Sequence, residues 1–284
     1  MTGLSLGKTD PANMYLDLLK KTITGAIYAE SDIILGKTTR GQAGWKRRLA
    51  NAVGIAVSSV GLELVYKRAY DPSLRENGRD WPVHADSMIG LRRMDNLQYC
   101  MDDVLKNGIP GDFIETGVWR GGATIFMRAL LKARGEETRN VWVADSFEGL
   151  PKPDRHRYPA DSGDTHHRLA TLRVGVDQVK HNFSRYGMLD QRVCFLVGWF
   201  KDTLPTAPID RLAILRLDGD MYESTQQAIE ALYPKLSVGG YCIVDDYGMI
   251  PGCRRAITDY RNINNISDEI LDIDGIGVYW QKSK

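Results

Sequence analysis

The 284-residue chain is short of cysteine: Cys100, Cys194, Cys242 and Cys253 are scattered, with no CxxC and no Cys/His spacing among them. A disulfide scaffold and a structural zinc site are excluded, and reduced thiols in a cytoplasmic protein are expected. The chain also lacks an excess of either charge, since 37 basic residues against 36 acidic ones leave a net +1. No field of that size recruits nucleic acid or an anionic membrane, so small, weakly charged partners are favoured. Met1 to Pro11 carries no apolar core of the kind a secretory signal needs. The most apolar stretch, Leu49 to Tyr66, contains Asn51, Ser58, Ser59, Glu63 and two glycines. That is too polar to span a bilayer, which takes about 20 apolar residues, and it reads instead as a helix packed on its own protein or on a second subunit.

What is present falls into two parts. Residues 1–110 read as a helical N-terminal extension and lid without a strand rhythm. Asp10-Pro11 and Asn13 precede Met14-Tyr-Leu-Asp-Leu-Leu-Lys-Lys-Thr-Ile-Thr, whose apolar residues recur at helical spacing after a cap signal. Tyr70 to Pro82, with two prolines and a glycine, reads as a loop, and the helical period returns from Met88 to Met101. From residue 111 to 284, apolar strands near 112–116, 141–145, 193–197, 212–217 and 240–245 alternate with amphipathic helices. This is an α/β pattern, a mostly parallel, doubly wound sheet, and two short strand-like runs at the end predict an antiparallel hairpin on its edge.

Two strands end on acids. Leu212-Ala-Ile-Leu-Arg-Leu217 runs into Asp218-Gly219-Asp220, and Gly240-Tyr-Cys-Ile-Val244 runs into Asp245-Asp246. One strand–helix–strand unit separates them, so the acids meet at neighbouring carboxyl ends, where open α/β sheets bind ligands. Asp218, Asp245 and Asp246, hard oxygen donors with no His/Cys pair nearby, suit Mg²⁺, or Mn²⁺ in its place. Read this way, the carboxylates converge without a counter-charge and need the cation to relieve their repulsion. Asp220 is the rival to Asp218, with a helix-capping carboxylate as its bland reading.

A third strand opens into Glu115-Thr116-Gly117-Val-Trp-Arg-Gly121-Gly122. Glycines at such a turn let backbone approach a ligand, and the helix that follows offers free N–H donors. The spacing is not GxGxxG, and Glu115 would repel a phosphate but favour an amine. The next strand ends at Asp145-Ser146, where such sheets place an acid on a ribose diol. A glycine turn, a glutamate and a ribose acid together describe S-adenosylmethionine.

The motifs then show a resemblance. Gly78-Arg-Asp-Trp-Pro82, Met88-Ile-Gly-Leu91, Ile114-Glu-Thr-Gly-Val-Trp-Arg-Gly-Gly122, Val143-Ala-Asp-Ser-Phe-Glu-Gly-Leu-Pro151, Gly198-Trp-Phe-Lys-Asp-Thr-Leu-Pro205, Asp218-Gly-Asp-Met-Tyr-Glu-Ser-Thr225 and Val244-Asp-Asp-Tyr247 are similar to those of the macrocin O-methyltransferase family, sugar O-methyltransferases that tailor macrolide and aminocoumarin antibiotics. The resemblance implies a class I methyltransferase fold, S-adenosylmethionine, a magnesium ion and a glycosylated small-molecule acceptor, in a homodimer or homotetramer. It implies that Glu115, Thr116, Gly117, Gly121 and Gly122 hold the methionine part of the cofactor, that Asp145 and Ser146 hold the ribose, and that Gly198, Trp199 and Phe200 lie near adenine, with Met88 reaching the cofactor from the lid.

Chelation lowers the pKa of a sugar hydroxyl and fixes its oxygen in line with the methyl group, so Asp218 is expected to be both ligand and general base. His166 and His167, in a polar loop after the ribose strand, are the alternative bases. These two histidines, with Asp80, Trp81 and His84, are the residues expected beside the sugar. Two other readings compete. A catechol-type O-methyltransferase would carry a lysine three residues after its first metal aspartate, where this chain has Met221. A non-catalytic nucleoside-binding protein would not need Asp218, Asp245 and Asp246 together.

Overall fold

The computed structural model describes residues 10–28, 31–35 and 45–284, so expectations resting on Met1 to Thr9 lie outside the described residues. Helix α1 (Pro11–Ile23) begins where the Asp10 carboxylate accepts the Ala12 N–H and Pro11 takes the first position, and it buries Leu16, Leu19 and Ile23. There follow β1 (Ser31–Ile34), α2 (Trp45–Ser58), β2 (Val65–Arg68), α3 (Pro72–Glu76) and α4 (Gly90–Lys106).

Two features depart from the sequence expectation. The N-terminal part is not purely helical, because β1 and β2 pair antiparallel from Ser31 opposite Arg68 to Ile34 opposite Val65. Four-residue strands are too short to leave a clear period of two. The apolar stretch from Leu49 is accordingly divided between α2, which ends at Ser58, and β2. The expected loop at Tyr70 to Pro82 contains α3, started by Asp71, whose side chain accepts the N–H groups of Ser73 and Leu74, with Pro72 at the first position. The proline that reads as a breaker is here an initiator. Among the described residues no helix is long and apolar enough to cross a membrane.

The second part alternates as expected: β3 (Asp112–Thr116), α5 (Gly122–Ala133), β4 (Val141–Asp145), α6 (Val176–Arg185), β5 (Val193–Val197), α7 (Phe200–Thr203), β6 (Leu212–Leu217), α8 (Tyr222–Leu232), β7 (Leu236–Val244), α9 (Pro251–Ile263), β8 (Leu271–Asp272) and β9 (Val278–Gln281). The sheet order is β5-β4-β3-β6-β7-β9-β8. All neighbours are parallel except β9, which runs antiparallel to both β7 and β8. β7 begins earlier than the strand expected near 240–245, taking in Ser237 to Gly240 across a register shift.

Successive strand residues point to opposite faces, and both faces are covered. Phe113, Val141, Val143, Ile214 and Ile243 pack with α1, α4, α5 and α6. Ile114, Trp142, Leu215, Leu217 and Val244 pack with α8 and α9. All six residues of β6 are buried, at about 1.5–3 kcal/mol for each large apolar side chain. The chain winds outward from β3 to β5 on one side and from β6 to β7 on the other. The switch point between β3 and β6 opens the crevice, and Glu115, Asp218 and Asp245 all reach it.

Candidate active site

Backbone hydrogen bonds tie the strand ends together. Asp218 N–H donates to Thr116 O and Asp245 N–H to Leu217 O, both at 2.9 Å, while Gly117 N–H donates to Ala144 O at 2.8 Å and Gly198 N–H to Asp145 O at 2.9 Å. Gly117 is indispensable to this weave: its φ is +86°, and a Cβ there would sit 1.8 Å from the Asp218 carbonyl oxygen. The strand ends surround a cavity of about 450 Å³.

One oxygen each from Asp218, Asp245 and Asp246 lie within 4.8 Å of one another. Asp245 and Asp246 are buried, whereas Asp218 keeps 23% of its side chain exposed. The expectation of acids without counter-charge is wrong. Arg216, buried within β6, donates through Nη1 to Asp218 Oδ2 at 2.6 Å and to Glu115 Oε1, and through Nη2 to Asp245 Oδ1. Arg93 of α4 holds the other oxygen of Asp245 and pairs with buried Asp274 at 3.0 Å. Neither arginine is among the residues expected at the site. An arginine inside an apolar strand is itself a signal, because a guanidinium is seldom buried without acids around it.

Even with these cations, burial dominates the acids. It pushes Asp218 up to about 6, with Asp245 adding to the rise and Arg216 opposing it. Burial also raises Asp246, reinforced by Asp220, Asp218 and Asp245. Asp246 Oδ2 is buried with no hydrogen-bond partner. An all-oxygen donor set with one orphaned carboxylate oxygen fits a hard divalent cation.

On the cofactor side, Glu115 is 2% exposed, and burial pushes its carboxyl up to about 8 against the pull of Arg216. Its Oε2 is also buried without a partner, which fits a ligand amine. Asp145 and Ser146 line the same cavity. Asp145 accepts the N–H of Val118 on Oδ2 at 2.8 Å and that of Phe147 on Oδ1 at 2.7 Å, so it also fastens the glycine turn. Met88, Gly117, Trp199 and Phe200 line the cavity, whereas Thr116, Gly121, Gly122 and Gly198 do not. Thr116 is wholly buried. Gly121 and Gly122 serve packing, since a Cβ would lie 2.9 Å from Val179 at the first and 2.4 Å from the Asp86 carbonyl oxygen at the second.

Of the residues expected beside a sugar, Trp81 and His166 line the cavity, and Asp80 and His167 do not. Asp80 accepts from Arg75 Nε at 2.6 Å, an ion pair inside the N-terminal part. His84 sits in a separate cleft with Arg120, Arg173 and Arg185. Asp220 also lines the main cavity, in the left-handed backbone region at φ +56°. Burial and then Asp218 push its carboxyl up to about 7, and the nearby His166 pulls it down. It does not cap α8. Asp161, from the loop after β4, does so, accepting the N–H groups of Tyr222 at 2.7 Å and Glu223 at 3.0 Å.

Known proteins share this architecture and sequence. A family model described as macrocin-O-methyltransferase (TylF) matches residues 12–282. The 8-demethyl-8-(2,3-dimethoxy-alpha-L-rhamnosyl)-tetracenomycin-C 4'-O-methyltransferase of Streptomyces olivaceus is 48% identical over 273 residues, 96% of this chain and 94% of that protein. The mycinamicin III 3''-O-methyltransferase of Micromonospora griseorubida is 45% identical over 273 residues, 95% of this chain and 96% of that one. The solved structure of the O-methyltransferase NovP superposes with a TM-score of 0.81 at 44% identity, over 96% of this chain and 100% of that chain. With the class I methyltransferase fold, the strand-end acids and a match along nearly its whole length, the chain belongs to the macrocin O-methyltransferase family and is an S-adenosylmethionine-dependent O-methyltransferase.

Proposed function

We propose that the enzyme methylates a sugar hydroxyl of a glycosylated natural product, with Asp218, Asp245 and Asp246 holding Mg²⁺ or Mn²⁺ and Asp218 accepting the hydroxyl proton. The observation that carries this reading is the convergence of those three carboxylates in the same cavity as Glu115 and Asp145. An oxygen-donor site thus opens beside a site suited to an amine-bearing nucleoside. The name of the Streptomyces olivaceus relative specifies a rhamnosyl-bearing acceptor, which supports a sugar over a free catechol.

When bound, S-adenosylmethionine supplies an electrophilic methyl group and the divalent cation lowers the pKa of the hydroxyl. The chain's own groups bind, orient and move one proton. Glu115 Oε2 accepts from the amine of the methionine portion, and Asp145, with Ser146, meets the ribose. Trp199 and Phe200 flank the adenine, and Met88 covers the cofactor from the N-terminal part. Trp81 and His166 face the sugar. Arg216 occupies Asp218 Oδ2, leaving Oδ1 to take the proton as the hydroxyl oxygen takes the methyl group. The products are a methyl ether, S-adenosylhomocysteine and a protonated Asp218. Burial lifts the Asp218 carboxyl above the ordinary carboxylate range in the metal-free protein, the direction that strengthens a general base.

Incubation with S-adenosylmethionine, Mg²⁺ and a panel of glycosylated macrolides and aminocoumarins, followed by tandem mass spectrometry, tests the reading. The expected result is a gain of one methyl group on the sugar fragment. Methylation of an aglycone phenol instead would replace it with the catechol-type reading.

A further inference from the structure

The turn between β8 and β9, at one edge of the sheet, reaches the strand-end acids through a single arginine. Asp274 Oδ1 accepts the N–H groups of Ile276 at 3.1 Å and Gly277 at 2.9 Å, which closes the turn. Its other oxygen pairs with Arg93 Nε at 3.0 Å, where 0% of the Asp274 side chain and 7% of that of Arg93 are exposed. Arg93 Nη1 in turn donates to Asp245 Oδ2. The guanidinium thus stands between two carboxylates, one in the hairpin turn and one at the end of β7. Burial works against its charge, and Asp245 and then Asp274 outweigh that effect. The backbone of the turn packs on the same place. A Cβ at Gly277 would lie 2.9 Å from Arg93 Cδ, and Gly248 N–H, two residues after Asp246, donates to Ile276 O at 2.7 Å. Arg93 and Ile276 line the cavity that holds Asp218, Asp245 and Asp246.

An ionised carboxylate offers about four acceptor sites. Arg216 takes one on Asp245 Oδ1 and Arg93 takes one on Oδ2, so each oxygen keeps a lone pair. A cation on Asp245 then meets Arg93 as a like charge one carboxylate away, and an unbalanced guanidinium would both repel it and compete for the oxygen. We propose that Asp274 is a positioning residue for the cation site, holding Arg93 and balancing its charge so that Asp245 stays oriented and available to the metal. This rests on the cation reading above. Its consequence is that the terminal hairpin, which carries none of the proposed ligands, sets how tightly they bind.

Full-length protein is titrated with Mn²⁺, and the free ion is read by electron paramagnetic resonance. Asn at position 274 keeps an oxygen for the Ile276 and Gly277 N–H groups, but it removes the charge and turns an NH₂ toward Arg93. Asp272 fastens the same turn through Gly275 N–H and has no ion pair with Arg93, so Asp272→Asn reads the cost of a loosened turn alone. Asp274→Asn should weaken Mn²⁺ binding about 10–100-fold, the scale for a group that orients a metal ligand, and Asp272→Asn by less than about twofold. In an Arg93→Met background Asp274 no longer acts on Asp245, so adding Asp274→Asn should change the affinity by less than about threefold. Asp274→Ser, which leaves room for water beside the guanidinium, replaces the Asn variant if that one does not fold. Unchanged affinity on loss of the Asp274 carboxylate, an equal loss in Asp272→Asn, or the same loss in the Arg93→Met background overturns the proposal. If wild-type protein binds no Mn²⁺, or binds it as tightly after Asp218→Ala/Asp246→Ala, the cation reading itself fails and this proposal falls with it.

Discussion

Arg216 of β6 lies in register beside Glu115 of β3, and one nitrogen of its guanidinium, Nη1, donates to both Glu115 and Asp218. The acid proposed for the cofactor amine and the acid proposed as the base thus share one cation. Arg216 is 1% exposed, so its charge is tolerable only because acids surround it, and the reverse holds for them. Removal of one partner of a buried ion pair costs about 3–5 kcal/mol. Arg216→Met should lose stability on that scale in urea unfolding at pH 7.5. A loss under about 1 kcal/mol would mean that the acids find relief elsewhere.

The pH dependence of the metal-free protein follows from burial. Glu115 is held at about 8 and Asp218 at about 6, above their ordinary values of 4.5 and 3.8. In both, the folded protein binds the proton more tightly than the unfolded chain does. Their stabilising contribution is therefore fully present below about pH 4 and fades as pH rises through the folded values. With a chelator present, the Tm should fall between pH 5 and pH 8. Mg²⁺ should raise the Tm more at pH 8 than at pH 5, because it competes with protons for Asp218 and Asp246. A chelated protein whose Tm climbs steadily across that range contradicts the assignment.

How much of this was legible beforehand depends on the range of the forces involved. The five parallel strands are long, apolar and flanked by turns, so their pattern survives in the sequence, and the acids at their ends follow from the βαβ rule. Arg216 escaped because its meaning lies across the sheet, in Glu115 and Asp245. Asp80 looked like a sugar ligand beside Trp81, yet Arg75, five positions earlier, claims it. The capping role weighed for Asp220 falls to Asp161: the acid next to α8 faces the cavity, and the cap arrives from the loop after β4. The pairings of Arg216 and Asp161 are tertiary and leave no local trace.

Methyl transfer is expected to require a divalent cation. Arg216 and Arg93 moderate the repulsion among the acids, but Asp246 Oδ2 has no partner, and neither arginine activates a hydroxyl. Chelator-treated enzyme should lose at least about 99% of its turnover, in line with the several kcal/mol a Lewis acid supplies, and regain it with Mg²⁺. Undiminished turnover in excess chelator would remove the cation from the reaction.

Cofactor affinity should separate from metal affinity. Glu115→Ala removes the buried acceptor proposed for the cofactor amine, and Asp145→Ala removes the acid proposed for the ribose and releases the N–H groups of Val118 and Phe147. Each should weaken binding of S-adenosylhomocysteine by about tenfold or more in calorimetric titration, given 1.5–3 kcal/mol for a charge-assisted hydrogen bond. Mn²⁺ binding, followed by electron paramagnetic resonance, should persist in both. Unchanged nucleoside affinity in the two variants would place that site elsewhere.

The last expectation separates the two bases that the chain offers. Asp218 is half-buried, held near 6 and gripped on one oxygen by Arg216, whereas His166 belongs to a loop and has its Nδ1 bound to Asp164. Asp218→Asn keeps the shape of the side chain but replaces the proton acceptor with an amide. Loss of a general base costs about 10²–10⁴ in rate, and weaker metal activation adds to that. The His166→Ala/His167→Ala double variant should raise the acceptor KM while keeping most of kcat, because a loop contact to the sugar contributes binding rather than proton transfer. Measurement of kcat at saturating metal, cofactor and acceptor distinguishes them. Normal turnover in the Asn variant together with a dead histidine variant would move the base to the loop and leave Asp218 as a ligand only.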